Sequence, residues 1–114
     1  MTDGFLGMFN MDEEIVRYQP GDTVAGRRSE TLVKVNGLRV VLFTLRSGIT
    51  LHEHTAPGPI TIHALRGRFA VNAGGDEREI NAGTLISIES GIRHAVHAIE
   101  DGAFLLTIAP QGAG

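Results

Sequence analysis

The residues of this chain whose type and spacing could do chemistry are its five histidines, which all lie between positions 52 and 97. His52 and His54 alternate in the segment "TLHEH". Side chains of a strand alternate between its faces, so these two rings share one face, about 7 Å apart at the backbone. With a third histidine from a neighbouring strand they would suit Zn, Fe, Ni, Cu or Mn. A metal site is one interpretation; polar residues on a strand surface are the other.

The segments that must position these histidines are short and β-like. Asn36-Gly37 separates two apolar runs and predicts a two-residue hairpin. Further turn motifs follow every eight to twelve residues or so, which predicts about nine short strands and an all-β sandwich or barrel. The runs "VVLF" and "AFLL" predict strands buried on both faces, with the N-terminal segment or a second subunit covering the outer one.

The N-terminal region differs from the rest of the chain. "MDEEIVRY" has acidic residues early and Arg17 late, which predicts a short helix that ends at Pro20-Gly21-Asp22. We expect an irregular stretch from there to about Glu30. The predicted organisation is therefore an N-terminal arm over residues 1–30, a β-barrel over residues 31–110 and a tail over residues 111–114.

Composition excludes several classes of function. The chain has 114 residues, which suits one domain, and its formal net charge of −3 disfavours nucleic acid and anionic membranes as partners. It contains no cysteine, which excludes disulfides, thiolate metal sites and cysteine nucleophiles. It has neither a phosphate-binding loop nor a dinucleotide motif, so we expect no nucleotide cofactor. Without a basic, apolar leader or a membrane-length apolar run, we expect a soluble cytoplasmic protein.

Two segments resemble the paired motifs of the cupin superfamily. Gly48, His52, His54 and Gly67 match the first motif, and Gly83, Gly91 and His94 fall at the spacings of the second. Glu89 stands where that motif has proline, and Ala98 where it has asparagine. The resemblance covers about residues 31 to 110. More closely, "HTAPGPITIHALRGR" with "HAVHAIEDGAFLLTI" is similar to small single-domain cupins that have no assigned activity.

The resemblance implies a cupin double-stranded β-helix, a jelly-roll-like barrel that is often a homodimer. It also implies that His52, His54 and His94 hold a divalent metal. The family's fourth ligand is usually a glutamate seven residues before the closing glycine, and Ile60 occupies that position here. His63 is the nearest donor, and a bulge after Pro59 could turn it towards the ion as a fourth ligand. Otherwise His63 is a pocket or packing residue.

Two hypotheses of function remain open on the sequence. In the first, three histidines hold Zn, Ni, Fe or Mn in an enzyme with oxygenase- or isomerase-like chemistry on a small molecule. In the second, the barrel binds a small molecule without metal and without catalysis. Ile60, Ile62 and Ala64 would then form an apolar pocket wall. No catalytic residue is identified beyond the metal ligands, and the substrate is not defined.

Overall fold

The computed structural model describes residues 4–110. The predicted tail and the first three residues of the predicted arm lie outside the described residues. Over these described residues the order of the elements is one helix followed by nine strands. They are α1 (Met11–Arg17), β1 (Arg27–Val35), β2 (Leu38–Leu45), β3 (Thr50–His54), β4 (Ile60–Arg66), β5 (Arg68–Ala73), β6 (Asp76–Asn81), β7 (Leu85–Ile88), β8 (His94–Ala98) and β9 (Gly102–Ile108).

The strands form two antiparallel sheets that face each other as a sandwich-like barrel. The larger sheet has the order β1-β2-β9-β4-β7, and the smaller has the order β3-β8-β5-β6. The all-β prediction is therefore confirmed. Between the sheets lies one apolar core, which receives Phe69, Val71 and Val96 from the smaller sheet and Leu45, Ile62 and Phe104 from the larger. The edge-on contact between Phe104 on β9 and Phe69 on β5 joins the two layers, and Phe104 also stacks on Phe43 of the neighbouring strand β2 within the larger sheet.

The hairpin at Asn36-Gly37 joins β1 to β2 as the sequence predicts. Gly37 adopts a positive φ of 86°, a conformation that costs glycine little and other residues more. In this hairpin Val35 pairs with Leu38 and Arg27 pairs with Leu45. Strand β1 thus begins before the boundary predicted at residue 31. The segment from Arg27 to Glu30 lacks apolar alternation, and its pairing with β2 makes it a strand.

Helix α1 covers part of the outer face of the larger sheet. Asn10 caps the helix by accepting a hydrogen bond from the Glu13 backbone N–H. Ile15 packs on Leu42 and Ala103 in a second buried cluster. The helix therefore supplies the cover that the apolar runs of β2 and β9 require. Within residues 4–110, no helix has the length and apolar character needed to cross a bilayer.

Candidate functional site

Two of the histidines meet at one end of the space between the sheets. Strands β3 and β8 are paired so that His54 lies directly opposite His94. The two ring centroids are 4.2 Å apart, and the ring planes are inclined by 64°. His94 is only 2% exposed, whereas His54 lies at the exposed mouth of the barrel. One ring of the pair is thus buried against the apolar core, and the other is exposed to solvent.

A bulge in β3 brings His54 to this position. Leu51 pairs with Val96 and His54 pairs with His94, so three steps along β3 match two along β8. One extra residue on β3 allows Leu51 and His54 both to face the interior, which strict alternation would forbid. The simple alternation assumed for the His52–His54 pair is therefore replaced by a bulged strand.

The hydrogen bonds of His54 and His94 orient both rings in the same way. His54 donates from Nδ1 to the His52 backbone carbonyl at 2.9 Å, and His94 donates from Nδ1 to the Ile92 carbonyl at 3.1 Å. A carbonyl oxygen can only accept, so the proton of each neutral ring sits on Nδ1. Each Nε2 then carries a free lone pair. Metal-binding histidines are held in this way, with the second ring nitrogen donating to a carbonyl.

The burial of His94 favours its neutral form. Removal from water lowers the pKa of His94 below its usual value of 6.5, and the neighbouring His54 lowers it further. The hydrogen bond to the Ile92 carbonyl opposes this shift. A neutral imidazole is the form that ligates a metal, so burial keeps His94 ready to do so at neutral pH.

The space available to a ligand lies at the mouth of the barrel. A cavity of about 480 Å³ opens there, lined by Ala25, Arg27, Arg28, Ser29, Phe43, Leu51, His52 and His54. The interior beneath His54 and His94 holds only about 10 Å³ of free space, which is too little for any ligand larger than a water molecule. A small molecule therefore has room above the histidine pair and not inside the barrel.

His52 lines this mouth cavity together with His54, but it does not complete a ligand set in the structure. Across residues 4–110, no three side chains of His, Cys, Asp or Glu gather closely enough to hold a metal ion. His52 is exposed, and its ring has no hydrogen-bonded partner among the described residues. The structure thus brings together two of the three histidines that the sequence selected.

The structure places His63 away from this pair. His63 pairs with Leu105 of β9 and Leu85 of β7, on the face of the larger sheet that points away from the smaller one. No bulge follows Pro59, because pairing is regular from Ile60 to Ala64; the register shift in β4 lies beyond Ala64. The bulge that would have turned the His63 side chain towards the interior is therefore absent, and we do not retain His63 as a ligand.

The three residues predicted as a pocket wall belong to the core. Ile60, Ile62 and Ala64 are at most 2% exposed and pack in the central apolar cluster. Ile62 alone among them lines the small interior space beneath His54 and His94. The apolar wall of the mouth cavity comes instead from Phe43 and Leu51.

Sequence reasoning missed Arg27 and Ser29, which line the mouth cavity from β1. Three other arginines, Arg66, Arg68 and Arg93, do not line this cavity. The structure pairs these three with carboxylates, namely Asp12 for Arg66, Glu79 and Glu100 for Arg68, and Glu53 for Arg93. Arg27 lies in the stretch that was expected to be irregular, and no local pattern marks that stretch as part of the site.

Comparison with known proteins assigns the family. The sequence matches Cupin_2, Cupin domain, over residues 41–109, which is more than half of the chain. No curated protein sequence matches the chain significantly.

Solved structures agree in fold. A conserved protein of unknown function from Streptococcus pyogenes is 27% identical, with 79% of each chain covered and a TM-score of 0.73. KdgF from Halomonas sp. is 20% identical, with 94% of this chain and 96% of that chain covered and a TM-score of 0.74. Salicylate 1,2-dioxygenase from Pseudoaminobacter salicylatoxidans, solved as adducts with gentisate, is 16% identical over 87% of this chain and 31% of its own, with a TM-score of 0.73. The protein is therefore a small member of the cupin superfamily.

Proposed function

We propose that this cupin binds one divalent transition metal through His52, His54 and His94 and acts on a small molecule held in the mouth cavity. The observation that carries the proposal is the contact between His54 and His94. Both rings are oriented by backbone carbonyls so that Nε2 is free. Two such rings in contact fit the requirement of a divalent metal for neighbouring imidazole ligands.

His52 is the third ligand in this proposal. It belongs to the bulged strand that carries His54, and it lines the same cavity. Its exposed side chain can change rotamer at little cost because no described residue holds the ring. Metal binding would thus move His52 and leave the buried His94 in place.

The composition of the site narrows the choice of metal. Ile60 occupies the position of the family's glutamate and is 2% exposed in the core, so no carboxylate joins the histidines there. A set of imidazoles alone favours Zn, Ni, Fe or Cu over harder ions such as Mg or Ca. When bound, such an ion would polarise an oxygen of a small-molecule substrate or, if it is redox-active, support oxygenase-like chemistry. Burial favours the neutral form of His94, and Phe43 and Leu51 present an apolar surface beside the histidines.

A second candidate function is metal-free binding of a small molecule without catalysis. The separation of His52 from the other two histidines favours this alternative, since no three-ligand group exists in the described chain. In that case the Nε2 atom of His54, which lines the mouth cavity, would serve as a hydrogen-bond acceptor for the ligand.

Metal titration distinguishes the two candidates. We expect the full chain, freed of metal by chelation, to bind about one equivalent of Ni or Zn by calorimetry. His54→Ala should weaken that affinity by more than the roughly 10- to 100-fold that loss of an outer-sphere partner costs. His52→Ala should do the same if His52 is a ligand.

His63→Ala is the matched control, because it removes an imidazole from the far side of the larger sheet. It should bind metal as the wild type does. A wild-type protein that takes up no metal, or an equal loss in the His63→Ala variant, would favour the metal-free alternative.

We also propose that the protein forms a homodimer through the outer face of the larger sheet. Leu85 on β7 is 55% exposed and Val35 on β1 is 41% exposed, so apolar surface remains beyond the cover of α1. Sedimentation should give the mass of a dimer; a monomer at all concentrations would refute this proposal.

A further inference from the structure

Arg27 differs from most arginines of the chain because its side chain has no partner among the residues that the structure describes. The guanidinium groups of Arg17, Arg66, Arg68 and Arg93 pair with carboxylates, and those of Arg28 and Arg46 donate to backbone carbonyls. Within residues 4–110, the Arg27 guanidinium has neither a hydrogen-bonded nor an ionic partner. The five N–H donors of Arg27 are therefore available to a ligand.

The register of the β1–β2 hairpin directs Arg27 and Ser29 towards the site. Arg27 pairs with Leu45 and Ser29 pairs with Phe43. Cross-strand partners project from the same face of a sheet, and both Leu45 and Phe43 pack in the central core. Arg27 and Ser29 thus leave β1 on the inner face, at the mouth cavity that they line with His52 and His54.

The cavity has positive residues and no negative ones. Two arginines line it, and no aspartate or glutamate does. Glu53, the acidic residue between His52 and His54, is 3.3 Å from the Arg93 Nε atom and is thereby engaged. An anion entering the cavity would meet uncompensated positive charge in a partly enclosed space, where electrostatic attraction is stronger than in bulk water.

From this arrangement we infer that the mouth cavity is a recognition site for a small organic carboxylate, with Arg27 as the residue that binds the carboxylate group. The planar guanidinium matches both carboxylate oxygens, and the Ser29 hydroxyl offers a further donor. Phe43 and Leu51 present an apolar surface to the body of the ligand. A volume of about 480 Å³ suits a ligand of modest size.

A small organic carboxylate is thus the substrate class of the function proposed above, and the inference rests on that function for the location of the ligand. Binding of the carboxylate does not depend on a bound metal. The Arg28 guanidinium already donates to the Arg17 and Gln19 carbonyls, so Arg27 and one hydroxyl provide few donors for a phosphate dianion, which favours a carboxylate. Arg27 is accordingly a specificity-determining residue. It binds ligand from β1, opposite the strand that carries His52 and His54.

The test uses the full chain, freed of metal by chelation, at low ionic strength. Backbone amide shifts are followed during titration with acetate and benzoate, with acetamide and benzamide as neutral analogues of the same shape. We expect saturable shifts around Ser29 and Phe43, with each carboxylate binding about tenfold more tightly than its amide. Arg27→Gln should lose most of that difference, and Arg27→Lys should retain part of it because the charge remains.

Arg78→Gln is the matched control. It makes the same change of charge on β6, where Arg78 donates to the Glu77 carbonyl and does not line the cavity. It should bind benzoate as the wild type does. Equal affinity for carboxylate and amide, wild-type binding by Arg27→Gln, or tighter binding of inorganic phosphate than of benzoate would overturn the inference. Failure of the metal site would appear separately, as lost nickel uptake with carboxylate binding unchanged.

Discussion

Gly67 forms the tight turn between β4 and β5, and replacing it with alanine should destabilise the barrel strongly. Gly67 has a φ of +77°, which is unfavourable for alanine. A Cβ atom there would lie 2.4 Å from the Asp101 carbonyl oxygen and 2.9 Å from the Gly102 Cα atom. Ordinary contact begins near 3.4 Å, so the backbone at Asp101 must move by about 1 Å, the difference between 3.4 and 2.4 Å.

The two costs can be separated. The positive φ alone costs alanine about 1–2 kcal/mol. Displacing the backbone where β9 begins adds about 1–3 kcal/mol, as overpacking does elsewhere. Strand β9 is central in the larger sheet and pairs with both β2 and β4, so the displacement is not confined to a loop.

Gly83→Ala isolates the conformational cost. Gly83 has a φ of +93°, but a Cβ atom there would meet nothing within 4 Å. Urea unfolding followed by circular dichroism should therefore show a larger loss of unfolding free energy for Gly67→Ala than for Gly83→Ala. Equal losses in the two variants would refute the reasoning, because they would mean that the contact with Asp101 adds nothing.

Three further predictions concern the histidine pair and the helix. The pKa of His94 in the folded state is lowered below the value of 6.5 that it has in the unfolded chain. As the pH falls through 6.5, the unfolded chain therefore takes up a proton that the folded chain resists. The free energy of unfolding, which has its full value above pH 6.5, should then fall by at most about 1.4 kcal/mol per pH unit. The urea midpoint of the metal-free protein, measured from neutral to mildly acidic pH, reports this loss of stability. The loss should be smaller in His94→Gln and unchanged in the control variant His63→Gln. Ile15→Ala should cost about 2–4 kcal/mol, since Ile15 is 6% exposed against Leu42. Asn10→Ala should cost about 1 kcal/mol through loss of the helix cap, and unchanged thermal unfolding in either helix variant would contradict the role assigned to α1.

Much of the fold is predictable from local sequence. Alternating apolar residues between glycine and proline turns identify the strands, and Asn36-Gly37 identifies the first hairpin. The start of β1 is not predictable in this way, because Arg27 and Arg28 have no apolar alternation. Their strand conformation depends on pairing with the end of β2.

The candidate site was only partly predictable for a related reason. The family motifs selected His54 and His94, which the structure brings into contact. The bulge in β3 depends on how β3 pairs with β8, and no local residue pattern revealed it. The outward position of His63 follows from the regular pairing of β4 with β9, and that contact joins residues about forty positions apart in the sequence. Long-range register of this kind is decided by packing of the whole sheet.

The central claim is that His52, His54 and His94 bind one metal ion, and a crystal structure of the nickel-loaded full chain tests it most directly. Anomalous scattering at the nickel edge locates the ion independently of the protein coordinates. We predict one nickel at the barrel mouth, bound by the Nε2 atoms of His54 and His94, with the His52 ring rotated to join them. Nickel absent from the mouth, or bound there without His54 and His94, would contradict the account.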